Sequence, residues 1–350
     1  MVGINHPLGW KPVRHQVFRD STMAEVLHQE GLTVESFLSA EQIEALRALY
    51  QASHTLSDEQ GGMFYSLYSQ DLAYREKIHQ EVHQILKPTL EHWFKGYKNV
   101  INSFVVKLPG KASEFAIHQD TTALDETKFS PLSVWIPLWD VTPENGAMCM
   151  VPGSHKLFSP YRGISFPFPF QGANQTVRDY LEPVPVKAGE AVLFDPRVLH
   201  NSLPNLSDKP RIALICGIFP QEADFNICFK ESPDSPIEIW QQEDDFLLKY
   251  PNFLHHCHDR PVSGKIVQQV EDRYPNLNDD SLKALLTEAG IEPRYIIPPP
   301  MEDRCNMIAE PDNSDRAPIV PFEEVVSEAP AAQLNPPKKG FWQRLFGKAD

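Results

Sequence analysis

Cysteine is scarce in this chain and follows no pattern: Cys149, Cys216, Cys228, Cys257 and Cys305 make an odd count without pairing spacing. A secreted scaffold stapled by disulfides is therefore excluded, and Cys149 and Cys216, inside strand-like runs, read as reduced and buried. Long apolar runs are also missing. The longest, near "RIALICGIFP", falls well short of the roughly 20 residues that a bilayer-spanning helix needs. The opening "MVGINHPLGWKPVRHQVF" lacks the apolar centre of a secretory signal. Nor is there a basic surplus. A formal net charge of −15 repels nucleic acid and anionic membranes, so an anionic substrate would need a locally basic pocket. No internal repeat is visible. The expectation is a cytoplasmic protein with neither nucleic acid nor a transmembrane segment involved.

What is present supports a real core: 41% of the 350 residues are hydrophobic, and 32 prolines point to many irregular connections. Residues 1–30 read as a leader. Residues 31–96 read as a helical support region, with Ser39 as an N-cap and Pro88 as a break or kink. From 97 to 221 the pattern becomes strands: "VINSFVVKL", "EFAIHQD", "SVWIPLWDVT", "AMCMVPG", "EAVLFD" and "PRIALICGIF", separated by turn material such as "PENG" and "NLSDKP". Many short strands with hairpin turns suggest a sandwich or barrel. Residues 222–297 read as a mixed, helical extension. Residues 298–350, acidic and Pro/Ala-rich, read as a disordered tail that ends in the basic, aromatic "GFWQRLFGK", either a docking segment for a partner or membrane surface or a frayed terminus.

The chemistry starts at "HQD". Side chains two apart on a strand share a face, and if the strand ends at His118 and bends inward, His118 and Asp120 could hold one metal ion. Alone the pair is weak, since a surface histidine before a turn-starting aspartate looks the same. His200, after the apolar "RVL", adds a second imidazole, and the turn "NLSDKP" leads to Arg211. The hairpin reading puts His200 and Arg211 on neighbouring strands. Two histidines and a carboxylate leave coordination positions open on Fe(II), although the same set serves catalytic zinc. Arg211 favours iron, because its planar guanidinium suits the far carboxylate of a chelating keto acid. Ser202, on the face of His200, would add a hydroxyl. A bland reading remains for each, an edge-strand arginine and a turn serine.

Together "HQD" at 118–120, "VWIPLWDVTPENGAMCMVPGSHK" at 134–156 and "GEAVLFDPRVLHNS…KPR" at 189–211 resemble the phytanoyl-CoA dioxygenase family of Fe(II)/2-oxoglutarate-dependent oxygenases. The resemblance covers roughly residues 30–220. It implies a double-stranded β-helix core of the jelly-roll or cupin kind, mainly β with flanking helices. It also implies His118, Asp120 and His200 as iron ligands, Arg211 and Ser202 as the anchor of 2-oxoglutarate, and Trp135 as an aromatic wall beside it. Fe(II), 2-oxoglutarate and O2 would be consumed or held in a hydroxylation that releases succinate and CO2. Relatives that halogenate lack the carboxylate ligand, so Asp120 points to hydroxylation. The alternatives are a non-catalytic jelly-roll binding module and a zinc-dependent hydrolase on the same triad. Substrate identity and oligomeric state are not legible.

Other features compete for attention. His79 and His83, four apart on a helix, could bind zinc but are explained by a partly exposed face. "HHCHD" at 255–259 could hold surface metal. His155 reads as structural. The loop 156–183, with Arg162, Phe166, Phe168 and Phe170, is long enough for a substrate lid or a packing loop. Lys107, Lys111, Lys128 and Arg197 could line a pocket mouth or be solvated charges.

Overall fold

Period-two alternation in the strand runs decides the architecture. In the computed structural model, which describes residues 10–53, 62–157, 159–250 and 259–293, an antiparallel six-stranded sheet carries the helices. Its order is β1 (Leu32–Ser36), β8 (Glu190–Phe194), β5 (Leu132–Pro137), β10 (Arg211–Pro220), β3 (Tyr97–Lys107) and β2 (Met63–Tyr65). A four-stranded sheet packs against its inner face: β4 (Phe115–His118), β9 (His200–Ser202), β6 (Met148–Met150) and β7 (Glu182–Val184). The fold is a double-stranded β-helix, mainly β with flanking helices.

The apolar run of β10 shows how the layers form. Ile212, Leu214, Cys216 and Ile218 face outward, into a core shared with helices α2 (Ala40–Ser53) and α3 (Leu72–Trp93). Ala213 and Ile215 face inward, against Trp135, Val192, Phe194, Met148 and Met150 between the sheets. Arg211 has the inward parity, and so does Lys107, its register partner on β3. Two cations are thus delivered to the inside of the barrel by alternation alone.

Ser39 caps α2 as expected: Ser39 Oγ accepts from the Gln42 N–H at 3.3 Å, and Gln42 Oε1 accepts from the Ser39 N–H at 3.1 Å. The break expected at Pro88 does not occur, and α3 runs through it. Gln42 grips either side of the proline, donating to Ile85 O at 2.8 Å and accepting from Thr89 Oγ1 at 3.0 Å, and so ties this turn of α3 to α2.

Three regions differ from the sequence reading. Residues 31–96 contribute β1 and β2 as well as helices, because these strands are too short for their periodicity to stand out. The segment from 10 to 30 is no separate leader: Val17 and Phe18 are buried in the main core and helix α1 (Ser21–Glu30) adds Leu27. Residues 222–297 hold an antiparallel sheet, β11 (Phe225–Phe229), β12 (Ile237–Gln242) and β13 (Lys265–Val270), besides α5 (Phe246–Lys249) and α6 (Asp279–Glu288). The histidine–cysteine cluster at 255–258 and everything from 298 to 350, with the segment at 340–348, lie outside the described residues. Among the described residues no helix is long and apolar enough to cross a membrane.

Candidate metal centre and anion pocket

His118 and His200 stand directly opposite each other in the β4–β9 register, with ring centroids 4.0 Å apart. Each Nδ1 faces a backbone carbonyl, His118 to Ala116 O at 2.9 Å and His200 to Val198 O at 2.8 Å. A carbonyl can only accept, so Nδ1 carries a proton in both rings, which leaves Nε2 as the nitrogen able to ligate. Both Nε2 atoms point to one carboxylate oxygen, Asp120 Oδ1, at 3.7 and 3.8 Å. Among the described residues these three side chains form the group able to hold a metal ion, with donor atoms all within 4.8 Å of one another.

The protonation states suit that use. Burial, reinforced by the neighbouring His118, pushes His200 down to about 4, so the imidazole is neutral near pH 7. Burial raises the Asp120 carboxyl, but the two imidazoles and Arg162 outweigh it and leave the group below its ordinary value, ionised. Two imidazole nitrogens and one carboxylate are a donor set that fits a divalent transition metal and leaves positions open.

Arg211 reaches the same interior from the other sheet. The hairpin reading is corrected here: His200 lies on β9, Arg211 on β10, and these strands belong to different sheets. The two residues face each other across the barrel. Trp135 lies beneath the guanidinium, with Arg211 Cζ 5.0 Å from its ring centroid. Arg211 is only 5% exposed, yet its Nε and Nη1 have no hydrogen-bond acceptor. Burial lowers it to about 10, still charged at neutral pH. Donors left over on a buried guanidinium suit an anionic partner.

Ser202 sits beside this pocket, held by Lys107. The Lys107 ammonium donates to Ser202 Oγ at 2.7 Å, Ser202 O at 3.2 Å and Leu203 O at 2.6 Å. Those three bonds use all of its donors, and Ser202 Oγ, accepting from the ammonium, keeps its own proton to give elsewhere. Burial and then the adjacent Arg211 hold Lys107 well below its ordinary value.

Several sequence candidates fall elsewhere. Lys107 and Arg197 do not line a pocket mouth: both are fully buried, and Arg197 pairs with Asp195. Lys128 is an exposed partner of Asp125, and Lys111 is exposed. His83 Nδ1 meets Asn99 Oδ1 at 3.0 Å and His79 meets Asn102, so both histidines belong to a polar seam between α3 and β3. His155 is buried, with Nε2 3.1 Å from His28 O, and burial pushes it down to about 3. The loop 156–183 is packed, not open. Phe170 is 1% exposed and stacked with Phe168, Phe166 packs on the C-terminal sheet, and the loop contains helix α4 (Asn174–Tyr180).

Sequence reasoning missed Tyr65, Tyr68 and Phe115. Phe115 meets His118 edge-on at 4.7 Å, and Tyr65 lies 5.1 Å from Tyr68 and 6.3 Å from Phe115, centroid to centroid. Burial raises both phenols, which stay protonated. Tyr65 comes from the three-residue β2, and no motif marked it.

A double-stranded β-helix with two histidines and a carboxylate in its interior defines a class of metal-site β-barrel. The chain belongs to the phytanoyl-CoA dioxygenase (PhyH) family, whose model matches residues 27–213. It is 35% identical over 116 residues to a phytanoyl-CoA dioxygenase domain-containing protein 1 from Danio rerio, covering 31% of this chain and 40% of that protein. It is 31% identical over 123 residues to phytanoyl-CoA dioxygenase 1 from Oryza sativa subsp. japonica, covering 34% and 43%. The matched stretch thus spans about two fifths of these relatives' length. Among solved structures, the chain is similar to the non-heme alpha-ketoglutarate-dependent carbocyclase SnoK from nogalamycin biosynthesis, at 21% identity and a TM-score of 0.43, covering 61% of this chain and 89% of that one.

Proposed function

We propose that the protein is an Fe(II)- and 2-oxoglutarate-dependent oxygenase that hydroxylates a small-molecule or carrier-linked metabolite. One observation carries this reading. Three convergent metal donors, with both histidine tautomers fixed, stand across the barrel from a buried Arg211 that lacks an acceptor. His118, Asp120 and His200 would hold the metal. When bound, Fe(II) would supply the oxidising chemistry, in which O2, 2-oxoglutarate and a C–H bond of the substrate give succinate, CO2 and the hydroxylated product. The protein's own residues do the rest. Arg211 takes the far carboxylate of 2-oxoglutarate through its idle nitrogens, Trp135 fixes the plane of the guanidinium, and Lys107 turns the Ser202 hydroxyl so that its proton is free for that carboxylate. Tyr65, Tyr68 and Phe115 give the substrate a mostly apolar wall that keeps water from the reacting centre. A cytoplasmic setting suits Cys149, Cys216 and Cys228, which are buried free thiols.

A zinc hydrolase on the same donors gives Arg211 nothing to bind. A silent binding module has no need of two locked tautomers. Succinate release and O2 uptake by iron-loaded protein supplied with 2-oxoglutarate test the reading, and both should vanish in His118→Ala and Asp120→Ala. Tight iron binding with no succinate formed, with or without a panel of candidate metabolites, would leave the binding module instead.

A further inference from the structure

Two of the three metal donors stand on strands, His118 on β4 and His200 on β9; Asp120 does not. It belongs to residues 119–131, which have neither strand nor helix structure. Backbone polar groups there must find partners outside any ladder. One buried residue meets two of them, the Asp120 carbonyl and the Thr122 N–H, and holds two side chains of the segment besides. Arg162, 2% exposed, donates from Nε to Asp120 O at 2.8 Å and from Nη1 and Nη2 to the Glu126 carboxylate at 2.7 and 2.6 Å. Its backbone N–H reaches Thr122 Oγ1 at 2.8 Å, and its carbonyl accepts from the Thr122 N–H at 3.0 Å. Glu126 is itself 1% exposed.

Asp120 is therefore gripped at both ends. Its N–H donates to Pro196 O at 2.9 Å, and its C=O accepts from Arg162. With both flanking peptides held, only the side-chain torsions of Asp120 are left to settle. We infer that Arg162 is a positioning residue: clamped by Glu126, it fixes the Asp120 backbone and aims the carboxylate at the point shared with His118 and His200. The Arg162–Glu126 pair does for Asp120 what strand pairing does for the two histidines. The fork geometry of a guanidinium is essential, since one ammonium could neutralise Glu126 but could not also reach the Asp120 carbonyl. The inference rests on reading the triad as a metal site.

Titration of metal-free protein with Co(II), a spectroscopic substitute for Fe(II), tests it in wild type, Arg162→Lys and Glu126→Gln. Dissociation constants and the visible d–d spectrum are read, with circular dichroism of the metal-free proteins as the control for folding. Both variants should bind Co(II) about 10- to 100-fold more weakly than wild type, with an altered spectrum, while remaining folded. A folded Arg162→Lys with wild-type affinity and spectrum overturns the inference, because charge neutralisation would then be the whole role of Arg162. Should the lysine variant not fold, Glu126→Gln, nearly isosteric, decides by the same criterion. A wild-type chain that bound no Co(II) would undo the metal-site reading and this inference with it, so the two failures are told apart.

Discussion

Arg162, Arg197 and Arg211 are hidden alike, at 2%, 1% and 5% exposure, but they keep different company. Arg162 holds the Glu126 carboxylate and Arg197 holds that of Asp195. Although burial pushes Asp195 up, Arg197 keeps it well below the usual carboxylate range. Arg197 also lies over a ring, that of Trp10, and has an unpartnered Nη1; Arg211 has a ring and idle nitrogens too, but no carboxylate. Removing a charge from water costs several kcal/mol unless a partner repays it. The first two arginines have that partner inside the chain and act as parts of the fold. Arg211 lacks one, which marks a place where the partner comes from outside. Burial alone does not mark a place for a ligand; among these three arginines it is the missing counter-charge that sets Arg211 apart.

The comparison can be broken by paired substitutions. Arg162→Met strands the Glu126 carboxylate and should cost about 3–5 kcal/mol of stability in denaturant unfolding of the metal-free protein. Arg211→Met should leave that stability unchanged or slightly higher, since an unpaired charge is removed. Its effect should appear in 2-oxoglutarate binding, weakened about 100-fold or about 2.8 kcal/mol by calorimetry on metal-loaded protein. Equal stability losses in the two variants would erase the distinction.

Acid sharpens it further, because arginines do not titrate in the window concerned. Burial lowers His155 to about 3 in the folded chain, so between that value and its ordinary 6.5 the unfolded state binds a proton that the folded state refuses. Stability is then complete above about pH 6.5 and declines as the pH falls. From pH 6.5 to 5 the loss from this residue is on the order of 2 kcal/mol. A His155→Gln variant should show a shallower acid dependence of its melting temperature, and an unchanged slope would remove His155 as the cause. The smallest effect sets the scale: Ser39→Ala, remote from all three arginines, should cost about 1 kcal/mol through the lost cap of α2.

Much of the site was legible because its parts recur at fixed offsets. His118 and Asp120 are two residues apart, and the parity that turns Ala213 and Ile215 inward also turns Arg211 inward. The relation of His200 to Arg211 was not legible. "NLSDKP" announces a turn, but turn chemistry does not say whether the chain returns to the same sheet or crosses to the facing one, and here it crosses. The Arg162–Glu126 pair was equally hidden. It joins irregular segments 36 residues apart in sequence, where no periodicity links one side chain to another. Lys107 looked like a surface charge because lysine usually is one; only its position opposite Arg211 in the β3–β10 register reveals it as interior.

The most direct test of the central claim is an anaerobic titration. Metal-free protein is loaded with Fe(II), 2-oxoglutarate is added stepwise, and the weak visible charge-transfer band of the iron chelate is followed. The account predicts a saturable band in wild type, absent in His200→Ala and requiring far more 2-oxoglutarate in Arg211→Met. Tight Fe(II) binding with no band at any 2-oxoglutarate concentration would contradict it.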